Sequence, residues 1–198
     1  MTEVNNRPGA TPYSSSEMLR TIMYIESSCD ITKRVMTMDT AGVRHEHCGL
    51  MQLDPAVANQ YITECGQYFN FAGGCRSVNG RWVCNPGTRI TCDQLTSPAY
   101  AQASICLAGA NLDAIYGNPD CGKTTQFRSA FAAYNGGTQA CAVSTDCQGE
   151  QGCDLNPVKR WECPYDDGAH TQCNVGFKET RDYVRKGLAC IAEFAGVQ

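Results

Sequence analysis

Three patterns are missing from the 198-residue sequence, and each absence argues against a class of protein or site. No apolar stretch approaches the ~20 residues that a membrane-spanning helix needs, so no membrane span is predicted. No basic run occurs, and 16 Lys and Arg against 20 Asp and Glu give a net charge of −4. The electrostatic footprint of a nucleic-acid-binding protein is therefore missing. No Cys-x-x-Cys pair is present, which argues against structural zinc.

Cysteine, in contrast, is abundant: the chain has 14 cysteines, an even number. Small secreted proteins use this density for disulfides, whereas cytosolic thiols stay reduced. The gaps between Cys141, Cys147, Cys153, Cys163 and Cys173 are typical of loops bridged to loops. We therefore predict disulfides, few or no free thiols and an extracytoplasmic location: periplasmic, secreted or virion-associated. Structural zinc is the alternative, and the pairing cannot be read from the sequence.

The N-terminal residues do not resemble an export signal. Residues 1–16 are polar and lack the apolar core of a secretory signal peptide. We expect a processed form, or another route to an oxidising space such as carriage on a virion. Residues 1–13 are predicted to be a flexible arm, and residues 14–198 a single domain.

Helical periodicity dominates the rest of the chain. Ser14 and Glu17 have capping-box spacing, and a helix follows in which one face carries Leu19, Ile22, Met23 and Glu26. This face is apolar except for Glu26, so the carboxyl is expected at the end of a buried helix.

Turn and capping signals place the remaining elements. Short strands are possible between Cys29 and His47, and Asp54 with Pro55 predicts a helix start. Further helices are predicted over about 55–62, 98–116, 124–134 and 178–194, with Thr124 or Thr125 as a cap and Gly136-Gly137 as a stop. Two cysteine-rich, irregular insertions are expected at about 63–97 and 138–177. The predicted class is mainly α.

Four strings occur in order along the chain: Ile25-Glu26-Ser27-Ser28, Cys48-Gly49-Leu50-Met51-Gln52-Leu53-Asp54-Pro55, Ala132-Ala133-Tyr134-Asn135-Gly136-Gly137 and Glu179-Thr180-Arg181-Asp182-Tyr183-Val184. Together they resemble the lysozyme-like lytic transglycosylases, which cleave the glycan strands of bacterial peptidoglycan. The resemblance implies a lysozyme-like fold whose glycan cleft lies between the Glu26 helix and the tyrosine-bearing helices. It also implies that the partner is peptidoglycan, with no cofactor and no metal.

The implied reaction needs one carboxyl. Cleavage of a β-1,4 bond between N-acetylmuramic acid and N-acetylglucosamine requires an acid that protonates the leaving oxygen. An apolar setting keeps a carboxyl protonated near neutral pH. Glu26 is the catalytic residue by resemblance, first as acid and then as base, while the muramyl 6-hydroxyl attacks and gives a 1,6-anhydro product. The implied substrate-binding residues are Ser27, Gly49, Leu50, Met51, Gln52, Tyr134, Asn135 and Tyr183.

Two other functions remain open. About 22 residues separate Glu26 from Gly49, which is nearer to goose-type lysozyme. That family is an inverting hydrolase in which aspartates position a water, and the candidates here are Asp39 and Asp54. Asp54 is alternatively only a helix cap. The second possibility is a non-catalytic glycan-binding or structural module of a larger assembly, such as a virion tail or secretion machinery.

The segment His45-Glu46-His47-Cys48 also has the composition of a metal site, because alternate residues of an extended strand face the same side. Cys48, His170 or a carboxylate would have to complete such a site. We expect instead that the histidines border the cleft and that Cys48 is bridged.

Overall fold

The computed structural model describes residues 15–39, 41–70, 74–122, 127–144, 159–163 and 177–194. These residues are mainly helical, as predicted, with two small antiparallel sheets. They form two compact units, of which the first contains residues 18–111 and the second continues from Leu112. No helix in the described ranges combines the length and apolar character needed to cross a bilayer. The single-domain organisation stays a prediction.

The secondary structure is short and segmented. The α-helices are α1 (Ser15–Ser27), α2 (Pro55–Ala58), α3 (Cys92–Leu95), α4 (Ala101–Gly117), α5 (Pro119–Gly122), α6 (Phe127–Gly136) and α7 (Lys178–Phe194). Single 3₁₀ turns occupy Asn59–Tyr61, Gly66–Tyr68, Pro98–Tyr100 and Thr138–Cys141. The strands are β1 (Arg34–Met38), β2 (Arg44–Cys48), β3 (Cys75–Val78) and β4 (Arg81–Cys84).

Helix α1 lies close to its predicted position but buries a different stripe. Met18, Thr21 and Ile22 are its buried residues, at 1%, 0% and 0% exposure. Leu19, Met23 and Glu26 are half-buried. Met18 and Ile22 are one turn apart and point to the same side, so the apolar stripe is turned by about one residue from the prediction. Ser14, the proposed cap, lies outside the described residues.

Strands β1 and β2 form an antiparallel hairpin in the region where only short strands were expected as possible. Their register pairs Arg34 with Cys48 and Met38 with Arg44. Asp39 closes the turn, since its Oδ1 accepts hydrogen bonds from the amides of Ala41 (2.9 Å) and Val43 (2.8 Å). The hairpin thus connects the loop that follows α1 to the turn that begins at Gly49.

The first cysteine-rich insertion is more ordered than predicted. It contains the β3–β4 hairpin, whose two turn residues, Asn79 (φ 51°) and Gly80 (φ 77°), have the positive φ values of a type I′ turn. Helix α3 follows, with a capping box between Thr91 and Gln94. The hairpin packs closely, because a Cβ on Gly66 would lie 2.5 Å from the Cβ of Trp82.

The prediction of disulfides is confirmed. The described bridges are Cys48–Cys92, Cys65–Cys106, Cys75–Cys84 and Cys121–Cys141. Cys163 is disulfide-bonded as well. Cys29 and Cys190 are free thiols. The bridging of Cys48 confirms the expectation for that residue and leaves no thiolate there.

In the second unit, helices α6 and α7 pack against each other. A Cβ on Gly187 would lie 3.1 Å from the Phe131 ring, so the missing side chain lets the helices approach closely. Phe131 meets Tyr183 edge-on, with ring centroids 6.3 Å apart. Of the residues predicted to face inward on α7, Tyr183, Val184 and Ile191 are buried and Leu188 is half-buried. Thr124, Thr125 and most of the 138–177 insertion lie outside the described residues.

Candidate active site

Glu26 is the penultimate residue of α1, and its side chain is half-buried. The helix ends sharply, because Ser28 (φ 54°) and Cys29 (φ 65°) both adopt left-handed backbone conformations. The Ser28 amide donates to the carbonyl of Tyr24 at 2.8 Å. Two consecutive non-glycine residues with positive φ are unfavourable, and backbone strain of this kind clusters at functional sites.

Gly49 begins the turn that follows β2, and only glycine fits there. Its φ is +74°, and a Cβ would lie 2.1 Å from the carbonyl oxygen of Leu95. The turn is closed by hydrogen bonds between Cys48 and Leu53 in both directions, at 3.0 and 3.2 Å. Glycine at position 49 thus lets the turn approach the backbone of α3 closely, and the predicted substrate-binding role of Gly49 stays a prediction.

Gln52 stabilises this turn through the hydrogen bonds of its buried side chain. Its side chain is 8% exposed, and its φ is 44°. The Nε2 group donates to the carbonyls of Gly49 (2.8 Å) and Lys33 (3.0 Å). The Oε1 atom is buried with no hydrogen-bond partner among the described residues. The amide nitrogen is thus committed to the backbone, and the predicted contact of Gln52 with a sugar substituent stays a prediction.

Ser27 connects the helix that bears Glu26 to the same turn. Its Oγ lies 2.8 Å from the carbonyl oxygen of Leu50 and 2.9 Å from that of Met23, and the residue is 2% exposed. A hydroxyl has one proton, so these two acceptors share it. The predicted catalytic and turn segments are therefore adjacent in space, although 23 residues separate Ser27 from Leu50.

Leu50 and Met51 differ in their surroundings. Leu50 is half-buried, whereas Met51 is completely buried and belongs to the core of the first unit. A buried methionine fills space in the core and thereby anchors the turn to it. The assignment of both residues to a glycan-contacting wall stays a prediction.

Lys33 is a site residue that the sequence interpretation missed. It lies in the loop between α1 and β1, and its Nζ donates to the main-chain carbonyl of Glu26 at 2.5 Å. The loop is stabilised by Asp30, whose Oδ1 accepts from the Thr32 amide (2.8 Å) and hydroxyl (2.7 Å). These hydrogen bonds lower the pKa of Asp30. No local motif marks Lys33, because Gly49 and Gln52, which bond its carbonyl, are distant in sequence.

His45 lies between the two aspartates proposed to position water. Its Nδ1 is 2.7 Å from Asp54 Oδ2, and its Nε2 is 3.4 Å from Asp39 Oδ2. A carboxylate only accepts, so an imidazole that satisfies both must donate from both nitrogens and is then positively charged. Asp54 also caps α2, with Oδ1 accepting from the Ala56 amide at 2.7 Å. The cap predicted for Asp54 is confirmed, and Asp39 and Asp54 are joined through His45.

The titration of this cluster follows from these contacts. The hydrogen bond to Asp54, and then that to Asp39, raise the pKa of His45 above its ordinary value. The pKa of Asp39 is lowered, first by the Val43 amide and then by His45. These contacts therefore favour the charged imidazolium form of His45.

The neighbouring groups on the hairpin are also engaged. His47 Nε2 lies 2.8 Å from Thr37 Oγ1. Glu46, Cys48 and Cys92 come close enough together to hold a metal ion, but the two sulfur atoms are joined in a disulfide. A disulfide sulfur is not a thiolate ligand, so this group does not have the donors of a zinc site.

The other predicted binding residues belong to the second unit. Asn135 is half-buried, and its Oδ1 accepts a hydrogen bond from Thr180 Oγ1 at 3.0 Å. A Cβ on Gly136 would lie 2.7 Å from the same Thr180 oxygen, so glycine allows the close approach of α6 to α7. Tyr134 is half-buried, and Tyr183 is 6% exposed. The strings that contain Asn135 and Thr180 are therefore adjacent within this unit.

No protein family, curated protein or solved structure was found to match this chain.

Proposed function

We propose that this chain is a lytic transglycosylase that cleaves the β-1,4 bond between N-acetylmuramic acid and N-acetylglucosamine in peptidoglycan. The observation that carries the proposal is the hydrogen bond from Ser27 to the carbonyl of Leu50. It holds the end of the Glu26 helix against the Gly49–Gln52 turn. Two motifs that the resemblance assigns to one active site are thus in contact, although nothing in their composition requires it.

In the proposed reaction, Glu26 donates its proton to the glycosidic oxygen as the bond to the muramyl anomeric carbon breaks. The resulting Glu26 carboxylate then removes the proton from the muramyl 6-hydroxyl, while that oxygen bonds to the anomeric carbon. The product carries a 1,6-anhydro ring, and Glu26 is protonated again. No second carboxylate and no cofactor are needed.

Hydrogen bonds to the main chain around the acid support this proposal. Positioned reacting groups lower the barrier because the entropy of orientation is already lost. The carbonyls of Glu26 and Leu50, on the two segments, accept hydrogen bonds from Lys33 and Ser27. The lysozyme-like fold belongs to this proposal, as does the extracytoplasmic location, which the disulfides support.

A second candidate is a goose-type muramidase, an inverting hydrolase that uses water. The arrangement of Asp39, His45 and Asp54 favours it, because the two aspartates are brought together. Against it, the Oδ1 atoms of both aspartates accept backbone amides, and their Oδ2 atoms face His45. We therefore assign these aspartates mainly to the hairpin and the α2 cap, and we favour the lyase.

The test compares the wild type with Glu26→Gln on purified peptidoglycan sacculi. Gln retains the shape of Glu but has no proton to donate, so activity should fall by about two to four orders of magnitude. Glu64→Gln, an exposed position in the same unit, is the control and should keep full activity. A Glu26→Gln protein with more than half of the wild-type activity would refute the single-acid mechanism. Binding without any cleavage by the wild type would favour the non-catalytic glycan-binding module.

Mass spectrometry of the products separates lyase from hydrolase. A 1,6-anhydro product is lighter by one water than the hydrolysed equivalent, and we expect the anhydro form. Asp39→Asn and Asp54→Asn should each reduce activity by less than about tenfold, since neither touches the reacting atoms in the lyase mechanism. Reducing-end products, together with a loss of about a hundredfold in either variant, would establish the hydrolase instead.

A further inference from the structure

Lys33 forms hydrogen bonds to both segments of the candidate site, through its side-chain ammonium and through its main-chain carbonyl. Its Nζ donates to the carbonyl of Glu26 at 2.5 Å. Its own carbonyl oxygen accepts from the Gly49 amide at 2.9 Å and from Gln52 Nε2 at 3.0 Å. Lys33 therefore forms hydrogen bonds to the main chain of Glu26, the proposed acid, and to Gly49 and Gln52, the first and last residues of the turn.

Physical chemistry explains a lysine at this position. The last carbonyls of a helix have no partner within the helix, and the helix dipole places partial negative charge there. A lysine ammonium supplies a hydrogen-bond donor to such a carbonyl and a positive charge near the negative end of the dipole. Its hydrogen bond is strengthened by that charge. The bend made by Asp30 and Thr32 precedes Lys33 directly, so the loop that carries the lysine is itself held by hydrogen bonds.

We propose that Lys33 is a positioning residue for the general acid, which rests on the function proposed above. By fixing the carbonyl of Glu26, Lys33 fixes the peptide plane between Glu26 and Ser27. The direction in which the Glu26 side chain leaves the backbone is then set relative to the turn at Gly49. Lys33 acts through the main chain, and its role is to hold the distance between the carboxyl and the bound sugar.

The experiment removes the ammonium and retains the backbone. Lys33→Met keeps an unbranched apolar stem but has no charge and no donor, whereas Lys33→Arg keeps both. Lys186→Met, at an exposed position on α7, is the matched control. The substrate is a set of soluble oligomers of alternating N-acetylglucosamine and N-acetylmuramic acid, so that kcat and KM can be measured separately.

We expect Lys33→Met to lower kcat by about ten- to a hundredfold with KM within about twofold, since a shift near 1 Å can reduce the rate by about that much. Lys33→Arg should recover most of the kcat, and Lys186→Met should match the wild type. The Gly49 amide donates to the main-chain carbonyl of residue 33, which the Lys33→Met variant retains. Hydrogen exchange of the Gly49 amide should therefore remain as slow as in the wild type.

Three results would overturn the proposal, and they are distinguishable. A kcat within twofold of the wild type, in a protein that Glu26→Gln inactivates, would remove the role of Lys33 but leave the function intact. Loss of kcat together with fast exchange at Gly49 would show that Lys33 only maintains the fold of the turn. A wild type that releases no product would remove the proposed function, and the positioning role with it.

Discussion

The requirement for glycine at position 49 gives the sharpest stability prediction. In Gly49→Ala the new Cβ would lie 2.1 Å from the Leu95 carbonyl oxygen, whereas ordinary contact begins near 3.4 Å, so the two must separate by about 1.3 Å. Leu95 ends α3, and the Cys48–Cys92 disulfide ties that helix to the residue before Gly49. The turn therefore has little freedom to move away from the helix.

Two destabilising contributions to the free energy of unfolding add in Gly49→Ala. An alanine with left-handed φ costs about 1–2 kcal/mol, and forcing an extra carbon into a packed site costs about 1–3 kcal/mol more. The variant Gly42→Ala separates the two contributions, because the φ of Gly42 is +78° and a Cβ there would meet nothing within 4 Å. Gly42→Ala should therefore show the first contribution alone, and Gly49→Ala should be less stable than Gly42→Ala by about 2 kcal/mol.

Thermal unfolding of the oxidised proteins provides the assay. A difference of about 2 kcal/mol corresponds to roughly 4–8 °C in Tm for a chain of this length. If Gly49→Ala melts at the same temperature as Gly42→Ala, the reasoning from the Leu95 contact is refuted. Under the proposed function, displacement of the turn should also lower the rate of peptidoglycan cleavage in Gly49→Ala and not in Gly42→Ala.

Three further predictions concern charges, thiols and the helix cap. Because the folded pKa of His45 is raised, its contribution to stability is complete below its ordinary pKa of 6.5 and is lost as the pH rises through the folded value. His45→Gln should thus lower Tm more at pH 5.5 than at pH 9, with His47→Gln as control, and an equal loss at both pH values would contradict the imidazolium bridge. Thiol titration of the denatured, unreduced protein should detect Cys29 and Cys190, and reductant should lower Tm markedly, since each bridge is typically worth about 2–4 kcal/mol. Detection of most cysteines as thiols would contradict the disulfides. Asp54→Ala should lower the free energy of unfolding by about 1 kcal/mol or more, because the Ala56 amide loses its acceptor and His45 loses its nearer carboxylate. Asp54→Asn should cost less, since its side-chain oxygen can still accept from the amide, and equal stability of the alanine variant would contradict the cap.

Local signals in the sequence predicted the local features of the fold. Asp54-Pro55 predicted the start of α2, and apolar periodicity predicted α1, α4 and α7 close to their observed bounds. The β3–β4 hairpin was missed, although Asn79-Gly80 is a strong turn signal when strand-forming residues flank it. The many cysteines around it drew the interpretation toward an irregular loop.

Features of the candidate site that depend on long-range contacts could not be predicted. Besides the local bond to Asp30, Lys33 has the partners Glu26, Gly49 and Gln52, and only the folded chain brings these together. For the same reason, the sequence did not indicate that His45 joins Asp39 to Asp54. Spacing along a chain predicts neighbours on one helix or strand, whereas these contacts cross between separate elements.

The hairpin of β3 and β4 has a consequence for engineering. Its disulfide fixes the Cα atoms of Cys75 and Cys84 at 4.0 Å, and Trp82 packs on Gly66 below the tip. A Cβ at Gly80 would meet nothing within 4 Å. Exposed tips between fixed ends accept inserted sequence well. A fluorophore-binding tag or an epitope placed between Asn79 and Gly80 would therefore report on the location of the protein without disturbing the fold beneath it.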